Sequence, residues 1–179
     1  MAKAKKSKKK ERLARAKMVR TAGRRAARPR QYGVIPVRVA DRNRIEVMLM
    51  TSRGSGRWVI PKGWPIPKRT PAGTARREAY EEAGIKGRLL SRKPIGSYRY
   101  IKADEEEIGE ILVQVFVLNV EEQKRDWPEC DERRTRWFPA LRAAALVKEG
   151  DLSRLMKSLS GIVSGNKGRR TKKLPCRKR

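Results

Sequence analysis

The 179-residue chain contains no histidine and only two cysteines, Cys130 and Cys176. Without imidazole there can be no Ser-His-Asp triad, no Cys-His pair and no His-containing zinc site. Two isolated cysteines with no CxxC pair exclude a disulfide scaffold and a four-cysteine zinc site, and favour a reducing, cytoplasmic setting. Aromatics make up 6% of the residues, with no RNP-like motif, so base-specific reading of nucleic acid is not indicated. Long apolar runs are missing too. The longest, 111–120, is about half a membrane span and is broken by Gln114 and Asn119. A soluble chain with no membrane span is expected. The basic start is followed by no apolar h-region, which weighs against a secretory leader. An Arg-rich transit segment stays open, although Lys dominates the start.

What the chain has in excess is positive charge, 47 Lys and Arg against 19 Asp and Glu, a formal +28. The excess is uneven. Residues 1–30 carry 14 Lys/Arg and one acid, Glu11, and residues 165–179 carry 8 with no acid. Removing both from the totals of 47 and 19 leaves 25 basic and 18 acidic residues between them, close to balance. This distribution argues against a uniformly basic, histone-like protein. It predicts a disordered basic arm over 1–30, one domain over 31–162 and a basic tail over 163–179. The arm, Lys/Arg alternating with Ala, buries too little surface to offset its ordering entropy, although a nascent helix over 9–20 is conceivable once its charge is neutralised.

Within the middle, β-branched and apolar runs at 32–40 and 44–51 flank the polar turn 41–43 and read as a hairpin. A flexible SRGSG loop (52–56) and a short strand (58–60) follow. Four prolines and Gly63 make 61–71 irregular. Residues 74–83 predict a helix ended by Gly84. Strands are expected at 87–91, 95–101 and 108–120, the last apolar on both faces as a central strand should be. After a polar loop over 121–136, closed by Trp137 and Phe138, helices are expected over 139–148 and 151–159, the second capped by Asp151. Strands interleaved with helices imply an α+β sandwich, and about 130 residues suffice for its core.

Acids are scarce in this chain, so their grouping carries weight. Glu78, Glu81 and Glu82 stand at i, i+3 and i+4, on one face of the predicted helix. Like charges gathered this way are costly unless cations or a divalent metal lie among them, and Arg76 and Arg77 supply part of the compensation. Alone, the ExxEE string reads as a solvated helix face.

Its surroundings make the pattern specific. The stretch from Gly63, GWPIPKRTPAGTARREAYEEAGI, resembles the Nudix box G-x5-E-x7-R-E-U-x-E-E-x-G-U, with U a bulky apolar residue. Gly63, Arg77, Glu78, Glu81, Glu82, Gly84 and Ile85 match; Arg69 replaces the first Glu, and Ala79 is small at a U position. With the preceding RWVIPKGW, the resemblance covers residues 31–160. It implies the Nudix fold, an α/β/α sandwich around a mixed sheet. It also implies hydrolysis of a phosphoanhydride, as in a nucleoside diphosphate linked to another group, with Mg²⁺ or Mn²⁺. Phosphoanhydride charge repels a water nucleophile, and a divalent ion both neutralises it and lowers the pKa of bound water. By resemblance, Glu78 and Glu82 would ligate metal. Glu81 would be a further ligand or a base, and the Gly63 carbonyl an additional ligand. Arg77 would orient the carboxylates. A further acid from outside the box would be Glu110 or one of the run 104–107, which reads equally as a solvated turn. Arg69 is expected to alter loop anchoring more than chemistry, and its guanidinium suits a substrate phosphate.

The box does not set the substrate. WVIPKGWPI and DWPECDERRTRWF resemble the diphosphoinositol polyphosphate phosphohydrolase branch, whose members cleave diphosphoinositol polyphosphates, dinucleoside polyphosphates and sometimes polyphosphate. Arg53, Arg57, Lys62, Lys68 and Arg69 are the candidate substrate cations, with Arg133, Arg134 and Arg136 a second group; phosphate charge is read by summed potential. The basic tails suit nonspecific contact with RNA or polyphosphate by counterion release. Two alternatives share these residues: a Nudix-fold protein that binds a phosphorylated ligand or RNA without turnover, and an RNA 5′ pyrophosphohydrolase.

Overall fold

A computed structural model of the chain describes residues 29–104 and 107–167. Most of the predicted arm and tail therefore lies outside the described residues, as do the side chains of 102–108. Within these limits the order is β1 (Arg30–Val39), β2 (Ile45–Thr51), β3 (Trp58–Val59), β4 (Lys62–Gly63), α1 (Pro71–Ala83), β5 (Ile85–Leu89), β6 (Gly96–Asp104), β7 (Glu107–Gln123), β8 (Thr135–Pro139), α2 (Ala140–Leu146), α3 (Gly150–Lys157) and α4 (Leu159–Lys167).

The sheet is mixed and is organised by two long strands. β1 and β7 pair in parallel, Arg30 opposite Leu112 through Val37 opposite Asn119. All other pairings are antiparallel. β1 gives its first half to β4, Tyr32 opposite Gly63, and its second half to β2. β7 pairs with β6 along its first half and β5 along its second, while β8 and β3 lie against β2. The β1–β2 hairpin turns on a short 3-10 segment, Asp41–Asn43. There Arg42 and Asn43 take φ of 56° and 58°.

Alternate residues of the central strands feed two separate cores, as the period of two requires. Ile35, Val47, Leu49, Val113, Val115 and Val117 face Leu152, Met156 and Leu159 of the C-terminal helices. Val34, Met48, Met50, Phe116 and Leu118 face Ala75, Ala79 and Ala83 of α1. Both sheet faces are thus covered by helices, which is the predicted sandwich. The small residue at 79 has its reason here: alanines at i, i+4 and i+8 are fully buried and let α1 lie close on the sheet.

Several boundaries differ from expectation, each for a local reason. α1 begins at Pro71 because Thr70 caps it, its side chain accepting from the Gly73 N–H at 3.0 Å, with proline at the first helical position. It ends as predicted at Gly84, in the left-handed region with φ 68°. The 61–71 stretch is not wholly irregular: Lys62 and Gly63 pair with β1. The loop expected over 121–136 is shorter, because β7 runs to Gln123 and β8 starts at Thr135. Asp151 does not cap α3; it lies inside the helix paired to Arg154, and Glu149 stands at the cap position without a side-chain cap bond.

Candidate active site

The site forms where α1 crosses the β3–β4 chain. Glu78 and Glu82 are its two acids, buried at 9% and 7% exposure and one helical turn apart. Gly63 sits directly under Glu78, so that a Cβ built on it would fall on the Glu78 carboxyl group. Only glycine admits that approach of backbone to carboxylate. One strand residue earlier, the Lys62 N–H donates to Glu82 Oε2 at 2.8 Å.

The other Glu82 oxygen is taken by Arg133, which reaches it from the β7–β8 loop across 51 residues. Arg133 is itself buried, at 7% side-chain exposure. Its Nε donates to Glu129 Oε2 at 2.8 Å and its Nη1 to the Thr51 carbonyl at 3.2 Å. Arg53, from the SRGSG loop, pairs with Glu129 and, at 2.8 Å, with Glu132. A continuous chain of alternating charge therefore links Glu82 to two surface loops. Burial pushes the Glu82 carboxyl up, against the opposing pull of Lys62 and Arg133. Burial also lowers the Lys62 ammonium, against the pull of Glu82.

A second group of cations adjoins this one. Arg57 Nη1 lies 2.5 Å from Glu149. Its guanidinium stands 6.0 Å, and the Lys62 ammonium 5.4 Å, from the centre of the Tyr100 ring. The Tyr100 hydroxyl donates to Gln31 at 2.9 Å.

The remaining candidate residues lie elsewhere. Glu81 does not join Glu78 and Glu82; it is paired with Arg77, Nη2 to Oε1 at 2.6 Å. Among the described residues no group of three or more acidic side chains is gathered closely enough to hold a metal ion. Glu110 lies 3.9 Å from Arg99 on the β6–β7 ladder. Lys68 is exposed with φ 63°. Arg69 lies on the other flank of α1, lining a hollow with Arg76, Arg77 and Tyr80. Arg136 stacks over Phe138 at 5.4 Å. Glu149 pairs with Arg57 and Tyr100 with Gln31, both distant in the chain, and Glu129 pairs with Arg53 as well as with Arg133 four residues on; no motif marks any of the three.

The buried carboxylates of Glu78 and Glu82, in a chain without imidazole, form a hard-oxygen donor pair of the type that suits Mg²⁺ or Mn²⁺. The family model described as NUDIX domain matches residues 28–158. The chain belongs to the Nudix family.

Among curated relatives, "Nudix hydrolase 12, mitochondrial" of Arabidopsis thaliana is 30% identical over 133 residues, covering 72% of this chain and 65% of that one. "Diphosphoinositol polyphosphate phosphohydrolase 3-alpha" of Mus musculus is 36% identical over 96 residues, 52% of this chain and 54% of that one. The chain thus spans between about half and two-thirds of the length of these relatives. Among solved structures, the C. elegans Ap4A hydrolase matches with a TM-score of 0.57 at 16% identity, over 76% of this chain and 99% of that one. The NUDIX domain of Shewanella oneidensis NrtR, solved with ADP ribose, matches at 0.58 and 13% identity, over 83% and 97%. At such identities the two structures establish the shared fold. Among the described residues, no helix is long and apolar enough to cross a membrane.

Proposed function

We propose that this Nudix chain is a divalent-metal-dependent pyrophosphohydrolase. Its substrate would be a polyphosphorylated small molecule, of the diphosphoinositol polyphosphate or dinucleoside polyphosphate class. The observation that carries the reading is the buried Glu78–Glu82 pair, set against a strand that only Gly63 permits to pass so close. Burying two carboxylates one turn apart is expensive unless cations repay it. Arg133 offsets part of that cost at Glu82.

Glu78 and Glu82 would hold Mg²⁺ or Mn²⁺, with the Gly63 carbonyl as an additional donor. The ion would neutralise phosphate charge and supply an activated water. The protein's own groups do the rest. Lys62 and Arg57, adjoining Glu82, attract the phosphate chain and offset its charge. Arg77 fixes Glu81, the candidate base, by a two-point contact through Nε and Nη2. Arg53 and Arg133 set the conformation of the loops bordering Glu82. The names of the curated relatives support the substrate class.

A different observation supports a second reading. Glu82 already has both oxygens engaged, by Arg133 and by the Lys62 N–H. A fold so closed would bind a phosphorylated ligand or RNA without turnover. The test is Mg²⁺-dependent phosphate release from diphosphoinositol polyphosphates, diadenosine polyphosphates, polyphosphate and 5′-triphosphate RNA. Release from any of the first three supports the hydrolase. Release from RNA alone would instead assign an RNA 5′ pyrophosphohydrolase. Absence of release from all four, with tight RNA binding retained, would overturn the enzymatic reading in favour of the binding protein.

A further inference from the structure

On the flank of α1 away from Glu78 lies an open hollow of about 520 Å³ between the helix and the start of β5, a volume in the range of small-ligand sites. Its cations are Arg69, Arg76, Arg77 and Lys86, grouped around Tyr80. Arg76 and Tyr80 stand two residues to either side of Glu78, which places them about 160° around the helix from it. The hollow is therefore separate from the buried acids.

Three features set this group apart from an ordinary solvated basic face. Its side chains converge on a concavity, floored in part by Gly73, Gly87 and Leu118. Among the described residues, the single ion pair made by the four cations is Arg77 with Glu81. Lys86 stands opposite Glu122 on β7, but that carboxylate pairs with Lys124, so positive charge outweighs negative here, an arrangement that is unfavourable until an anion enters. Finally, Tyr80 organises the cations: the Lys86 ammonium stands 5.2 Å and the Arg77 guanidinium 5.8 Å from its ring centre. The ring is engaged by cations, which favours a ligand made of phosphate over one that needs a free aromatic face for base stacking. Arg69, the residue that departs from the Nudix box, supplies a charge here that a glutamate would reverse.

We infer that this hollow is a second anion site that takes an oligophosphate chain, set apart from the buried Glu78 and Glu82 and sharing Arg77 with the residues assigned to hydrolysis. Guanidinium groups suit bidentate contact with successive phosphates, and Lys86 adds a point charge.

The experiment is lysine footprinting on the full chain, with inorganic tripolyphosphate as the probe and EDTA present, so that hydrolysis plays no part. Ionic strength is kept physiological to suppress diffuse attraction to the basic ends. Tripolyphosphate is expected to slow acetylation of Lys86 about fivefold or more once most copies are occupied, while Lys157, exposed on α3, keeps its rate. In an Arg69→Gln/Arg76→Gln double variant the protection of Lys86 is expected to vanish. Both residues are exposed, so the fold is retained. Unchanged acetylation of Lys86 in the native chain, equal slowing of Lys157, or protection that survives the double substitution would each overturn the site.

Discussion

Charge pairing at Glu82 governs what single residues should do. Glu82→Gln keeps the shape of the side chain and removes its charge; if the carboxylate holds metal, turnover falls by orders of magnitude while the melting temperature changes little. A near-normal rate would refute that role. Arg133 offers a sharper test, because its guanidinium occupies the oxygen that an ion would take. Breaking a buried pair by removing one partner typically costs about 3–5 kcal/mol, so Arg133→Met should be markedly destabilised without metal. Mg²⁺ should then raise its melting temperature more than that of the native chain, because the ion replaces the lost cation. Equal increments in both would show that arginine and metal do not share Glu82. Glu129 sets the pH dependence of the same chain of charges. Burial alone would raise its carboxyl, but the hydrogen bonds from Arg53 and Arg133 outweigh it and hold the group below its ordinary 4.5. A depressed carboxyl stabilises the fold above that ordinary value, and the contribution fades as pH falls through the folded one. The stability difference between the native chain and Glu129→Gln should therefore be largest near neutrality and shrink in acid, as read by denaturant midpoints across pH. A pH-independent difference would argue against the ion pairs as its cause.

At the level of the elements, α1 and β4 together make the site. Gly63→Ala drives a methyl into the Glu78 carboxyl, an overpacking that costs about 1–3 kcal/mol. Adding Glu78→Ala should recover most of the lost stability and none of the activity, which separates a steric role for Gly63 from any other; failure to recover would place the strain elsewhere. Thr70→Ala removes the α1 cap and should cost about 1 kcal/mol, lowering the melting temperature by about 2–4 °C for a chain of this size. The same elements mark how far the amino-acid sequence could be read. α1, its acids and Gly84 were evident, because capping, helical spacing and the box are all local patterns. The apolar, β-branched strands β1, β2 and β7 were evident for the same reason. β4 was hidden, since a two-residue pairing among prolines is decided by β1 opposite it. Most of β8 was hidden because its pairing with β2 spans some 90 residues of chain and leaves only Trp137 and Phe138 as a mark. Arg133 was singled out as a surface cation for phosphate, whereas it is buried against Glu82. Burial of that kind depends on long-range packing, which no spacing encodes.

At the scale of the molecule, the question is why a domain near charge balance carries basic extensions that give the chain a formal +28. The two proposed sites on α1 need only a handful of cations, contributed by residues 53–86 and by Arg133, so the charge of residues 1–28 is not required to build them. We propose that the extensions act instead on long polyanions. A polyanion bound by many Lys and Arg releases condensed counterions, so affinity falls steeply with salt in proportion to the contacts made. Deleting residues 1–28 leaves β1 complete, because the strand begins at Arg30. The truncated chain should therefore keep its turnover of a small diphosphorylated substrate while binding long polyphosphate or RNA more weakly at low salt. The slope of log affinity against log salt should become shallower, and the two proteins should converge as salt rises, because the lost term is electrostatic. Measured by fluorescence anisotropy over a salt series beside a small-substrate assay, the two readouts separate the roles. If small-substrate turnover falls with the deletion, the N-terminal segment reaches into the α1 site and the division between chemistry and polyanion capture is wrong. If turnover holds and the salt slope does not change, the captured polyanion is read by the folded domain, and the cations on the flank of α1 become the place to look for it.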